Sequence, residues 1–156
     1  MMKEREKLLD TNYLIGLLEG KSDVNDTELL QNLKNLRREI ASNNVEVVIT
    51  PLIRYEFLRY FLWKTQENDI KKYIDVMNGL TTLDISQKVA DLAADLYRLD
   101  KFEASKNNTN KNIDKRQFDI FHFATAKING IELLSNDKHL PQLEDLYNLY
   151  KLDKII

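Results

Sequence analysis

The 156-residue chain has no cysteine, which excludes disulfides, thiolate zinc sites and cysteine nucleophiles. Four glycines and two prolines are too few for a loop-rich all-β fold and favour one rich in helix. No apolar run approaches the roughly 18 residues that a membrane span needs. No signal-peptide core precedes the first apolar run either, so the expected location is cytoplasmic with no membrane partner. Neither sign of charge dominates: 23 basic residues face 25 acidic ones, for a net charge of −2. The field of the whole molecule therefore does not advertise nucleic-acid binding, which would have to come from a local basic rim. The length fits a single domain, 1–156, with a real hydrophobic core.

What is present is an alternation of short apolar runs and helical periodicities. Lys7 to Leu9 reads as a buried strand that delivers Asp10 to its C-terminal end, with Asn12 placed to cap a helix over Tyr13 to Glu19. Leu29, Leu33, Leu36 and Ile40 give an amphipathic helix from Thr27 to Ser42. Val45 to Ile49 is β-branched and reads as a strand. Thr50-Pro51 then reads as N-cap and first helical residue of a helix through Glu56 to about Trp63. Helices are expected over Asp69–Asn78, Ser86–Phe102 and Asp114–Asn129, the last ended by Gly130. Leu80 to Ile85 is a weaker strand candidate, and Ile131 to Leu134 a clearer one. A short helix from Lys138 to Asp145 and a last strand near Leu149 to Leu152 complete the pattern. Residues 104–112, rich in Asn and Lys, read as a polar loop. Strands alternating with helices imply an α/β fold with a mainly parallel sheet.

In such sheets ligands bind beyond the C-terminal ends of the strands. Asp10 and Asp137 end strands there, Glu56 lies early in the helix after a strand, and Asp119 lies near the start of a helix. Four carboxylates brought to one edge would repel, each pair by roughly 3 kcal/mol at ~6 Å and an effective dielectric near 20. Cations or protons must offset that. Oxygen ligands without His or Cys suit Mg²⁺ or Mn²⁺, and such ions at acids suit phosphodiester hydrolysis.

These residues also fall into a recognisable order. Leu8-Leu9-Asp10-Thr11-Asn12-Tyr13-Leu14-Ile15 resembles the opening motif of PIN-domain ribonucleases, and Ile49-Thr50-Pro51 through Tyr55-Glu56-Phe57 resembles their second. Asp119-Ile120-Phe121-His122-Phe123-Ala124-Thr125-Ala126 resembles the third, and Leu133-Leu134-Ser135-Asn136-Asp137 the fourth. The resemblance implies a three-layer α/β/α sandwich and Mg²⁺- or Mn²⁺-dependent cleavage of RNA. It places catalytic, metal-binding acids at Asp10, Glu56, Asp119 and Asp137, with Asn12 and Ser135 as orienting polar residues. The small size is most similar to VapC-type toxins, which implies an antitoxin partner offering a basic side chain to the acids. Two departures stand out: the polar stretch 104–112 before the third acid, and His122-Phe123 where small aliphatic residues are usual.

Lys115, Arg116 and Lys138 flank the expected site and could meet phosphates. Asp114 is a possible auxiliary acid, and His122, three residues after Asp119, shares its helix face, although a core histidine is the plainer reading. Leu52, Phe57, Tyr60 and Phe61 exceed what one core face needs, and some of them are expected to line a groove for an antitoxin segment or a homodimer contact. Other functions compatible with these residues are a non-catalytic binding module and a housekeeping RNA-processing nuclease.

Overall fold

Asp10, Thr50 and Ser86 each end an extended stretch and turn the chain into a helix, and this junction recurs through the molecule. The computed structural model describes residues 5–20, 26–107 and 116–155. Asp114, Lys115 and residues 108–112 of the polar stretch lie outside the described residues. The chain divides into two compact units, Met1–Asp84 with Ile131–Asn136, and Ile85–Gly130 with Asp137–Ile156.

The first unit contains β1 (Glu6–Leu9), α1 (Thr11–Glu19), α2 (Thr27–Ala41), β2 (Glu46–Ile49), α3 (Pro51–Leu58), α4 (Glu67–Asn78), β3 (Thr81–Thr82) and β4 (Glu132–Leu134). Its sheet has the order β3-β2-β1-β4 and every pairing is parallel. Leu8 sits opposite Val48 on one side and Leu133 on the other. Strands flanked on both sides are buried on both faces, and Leu8, Leu9, Val48 and Ile49 are fully buried. Each such side chain contributes about 1.5–3 kcal/mol. Helix α1 packs against α3 and α2. Gly16 permits the approach of α2, since a Cβ there would lie 2.6 Å from Leu33 Cδ1, and Arg37 donates to the Gly16 carbonyl at 2.9 Å.

The second unit is helical: α5 (Gln87–Lys106), α6 (Gln117–Asn129) and α7 (Leu140–Ile155). Helix α5 packs along α6 and against α7, with Val89, Leu92, Leu96, Ile120, Phe123 and Leu143 buried. The Phe123 and Tyr147 rings meet edge-on at 5.7 Å between centroids. Gly130 ends α6 in the left-handed region, φ 65°, where glycine carries no Cβ penalty.

The expected α/β class and parallel sheet are what the structure shows, with local corrections. The strand expected at Leu149–Leu152 is the last part of helix α7, whose buried Leu143 and Leu146 already follow a helical step. The helix carrying Glu56 stops at Leu58 rather than Trp63; Lys64 has φ 68°, and the Leu62 N–H donates to Gln66 Oε1 at 2.7 Å, which turns the chain. Ala104 to Lys106 continue α5 instead of opening a loop. The stretch Leu80–Ile85 contributes only two paired residues. Among the described residues no helix is long and apolar enough to cross a membrane.

Candidate active site

Strand β1 ends where Asp10 takes an extended conformation, φ −72° and ψ 171°, and caps α1. Asp10 Oδ1 accepts the Tyr13 N–H at 3.0 Å, so Asp10 rather than Asn12 is the cap; Asn12 is exposed within the helix. A second hydrogen bond comes from across the sheet. Ser135, just past β4, donates its hydroxyl to Asp10 Oδ2 at 2.5 Å. Because β1 and β4 run parallel, both residues stand at C-terminal strand ends. Asp10 is 6% exposed, and the donors Tyr13 N–H and Ser135 O–H, both neutral, orient its carboxylate.

Glu56 lies in the same unit, on α3, and is 8% exposed. Thr50 caps that helix by accepting the Ile53 N–H at 3.2 Å, with Pro51 at its first position, and this fixes the rotation that turns Glu56 inward. Asp119 and Asp137 belong to the second unit. Asp119 is half-buried in the first turn of α6, where the helix dipole favours a negative charge. Asp137 is half-buried before α7, and its Oδ1 accepts the His139 N–H at 3.0 Å. Asp10 and Glu56 thus lie in the first unit, and Asp119 and Asp137 in the second.

The positions of other expected residues are as follows. Arg116 is only 7% exposed; its Nη1 lies 3.6 Å from Asp100 Oδ2 and 3.4 Å from Gln142 Oε1. An interior ion pair, not a phosphate contact, occupies that position. His122 is 2% exposed, the core histidine that is the plainer reading of the sequence. Phe57 is buried at 2% and Tyr60 and Phe61 lie past the end of α3, yet these three, with Ile15, Glu19 and Gln66, line a small pocket, while Leu52 does not contribute to it. Lys138 is exposed beside Asp137.

Sequence reasoning missed Asp100 and Asp26. Asp100 faces an arginine on another element, and nothing local signals that. Asp26 had a signal, an Asp-Thr pair immediately before a helical periodicity. It caps α2 through the Leu29 N–H at 2.9 Å and accepts from Asn136 Nδ2 at 2.8 Å. Consecutive residues after β4 therefore hold two different carboxylates, Asp10 and Asp26.

A family model described as PIN domain matches residues 7–146. The chain belongs to the PIN domain family. No curated protein matches it. Among solved structures, the PIN chain is similar to one described as the crystal structure of VapBC2 from Rickettsia felis bound to a DNA fragment from their promoter. The match has a TM-score of 0.56 and 16% identity, and covers 88% of this chain and 92% of that one. At that identity the likeness concerns the fold.

As a PIN domain, the chain has the oxygen chemistry a hard divalent cation needs. Asp10 is a fixed, buried carboxylate, and the adjacent Thr11 Oγ1 is buried with no hydrogen-bond partner among the described residues. No three His, Asp or Glu side chains among the described residues form a group that could hold a metal ion, so the fit rests on the donors at Asp10 rather than on a finished cage.

Proposed function

We propose that this PIN domain is a divalent-cation-dependent endoribonuclease and the toxin of a toxin–antitoxin pair. The observation that supports it most is Asp10: a buried carboxylate at a strand's C-terminal end, fixed by two neutral donors. Asp10, Glu56, Asp119 and Asp137 are the residues proposed to hold Mg²⁺ or Mn²⁺. When bound, the cation polarises the phosphodiester and acidifies a water. Ser135 keeps the Asp10 carboxylate in one rotamer, and Lys138 offers a phosphate contact beside Asp137. The likeness to a VapBC complex supports an antitoxin partner, whose basic side chain would meet the same acids. A homodimer is the proposed assembly of the PIN chain itself.

The test is cleavage of a single-stranded RNA pool with and without EDTA, using wild type and Asp10→Asn. Asparagine caps helices about as well as aspartate, so the variant should fold normally. Its rate should fall by more than about 100-fold, the upper end for residues that merely orient a metal ligand. Cleavage that survives both EDTA and Asp10→Asn would overturn the cation-dependent reading. Growth arrest on expression, relieved by the neighbouring small gene, would support the toxin assignment. An active enzyme without growth arrest would replace it with RNA processing.

A further inference from the structure

The segment 51–66 carries Arg54, Arg59 and Lys64 against one acid, Glu56. Since Glu56 is buried, the charge this segment turns outward is positive, in a chain whose net charge is −2. The same segment exposes Tyr55, Tyr60, Leu62 and Trp63, with Trp63 at 86%. These groups are ordered. The Arg59 guanidinium lies 5.7 Å from the Tyr55 ring centroid and 5.1 Å from that of Tyr60, and it donates to the Tyr60 hydroxyl at 3.2 Å. That bond raises the Arg59 pKa above its ordinary value, so the group stays charged. Below, Phe57, Phe61 and Tyr73 form a ring cluster with centroids 5.3 to 5.6 Å apart, which anchors the turn carrying Trp63.

Exposed rings interleaved with cations of a single sign suit a polyanion with flat faces. Bases stack on the rings, and phosphates pair with arginine and lysine. We propose that Tyr55, Arg59, Tyr60 and Trp63 form a stacking platform for single-stranded RNA, with Arg59 and Lys64 meeting its phosphates. This rests on the ribonuclease reading and adds a place where substrate is held outside the acids. A peptide partner fits less well, because the exposed charges of 51–66 lack the mixed signs of a protein interface rim.

Trp63 is the only tryptophan, so tryptophan fluorescence, excited selectively over tyrosine, reports on this ridge alone. The protein should be titrated in EDTA with a short 2′-O-methyl oligonucleotide, which it cannot cleave. Quenching that weakens with added salt is expected, with Kd raised roughly tenfold in Arg59→Ala. Anisotropy of the labelled oligonucleotide should show a similar loss for Trp63→Ala, and cleavage by that variant should show raised KM with kcat kept. No quenching, quenching indifferent to Arg59→Ala, or a fluorescence change that tracks protein concentration without RNA would overturn the platform. The last of these would assign the ridge to a second copy of the chain. Cleavage without quenching leaves the nuclease reading standing and removes the platform; quenching without cleavage in Mn²⁺ does the reverse.

Discussion

Asp10 and Asp100 are buried to nearly the same degree, 6% and 4% exposed, yet they meet different kinds of partner. Asp10, in the first unit, accepts from a backbone amide and a serine hydroxyl. Asp100, in the second, faces the Arg116 guanidinium. Neutral donors fix a carboxylate without cancelling its charge, whereas a guanidinium cancels it. Burial alone therefore does not say what a carboxylate is held by. Asp100 already faces a cation, and Asp10 is the acid proposed above to hold one.

The largest effect expected from breaking this contrast is on the Asp100 side. Arg116→Met takes the guanidinium away from the buried Asp100 carboxylate and should cost about 3–5 kcal/mol in urea unfolding. The double variant Asp100→Leu, Arg116→Met should recover most of that. A small single-mutant loss would show the pair to be more hydrated than its exposure implies.

Arg116 also shows where sequence reading reaches its limit. Its neighbours Lys115 and Gln117 are polar, so nothing local reveals that it turns inward toward Asp100 on another helix. Features set by backbone chemistry were legible: Thr50-Pro51 opens α3, and Gly130 closes α6 in the left-handed region. The cap of α1 was misplaced by two residues, because Asp10 and Asn12 are both good caps and only ψ at Asp10 decides between them. The strand expected at Leu149–Leu152 failed because a short apolar run fits a helix or a strand, and here it extends a helix already begun at Leu140. The bond from Ser135 to Asp10 had a basis only in the family pattern, since it joins residues far apart in the chain.

A smaller effect is expected at that bond. Ser135→Ala removes a hydrogen bond to a charged, buried acceptor, worth about 1.5–3 kcal/mol. By loosening Asp10 it should also reduce cleavage or cation affinity by about 10–100-fold. If stability falls while both of these hold, Ser135 supports the fold and not the site.

The smallest effect lies at alkaline pH. Burial raises the Tyr13 pKa above 10.0, opposed by a hydrogen bond with Asn32 and reinforced by the charges of Asp10, Glu28 and Asp26. Folded protein then holds this proton longer than the unfolded chain does. The Tyr13 contribution is complete below about pH 10 and is lost as pH rises through the folded value. Unfolding midpoints measured from pH 8 upward should decline less steeply in Tyr13→Phe. An unchanged slope would mean that Tyr13 ionises as it does in the open chain.

Strand β4 pairs with β1 from the far end of the sequence, Lys7 beside Glu132 and Leu9 beside Leu134. On the ribosome this ordering has a temporal meaning. A nascent chain that has not yet emerged past residue 131 has an open β1 edge and an Asp10 without Ser135, however well its earlier helices have formed. The last strand of the sheet and the second anchor of its buried acid arrive together, late in synthesis. Translation thus acts as a timer, and a chain released early lacks the contact that orients Asp10.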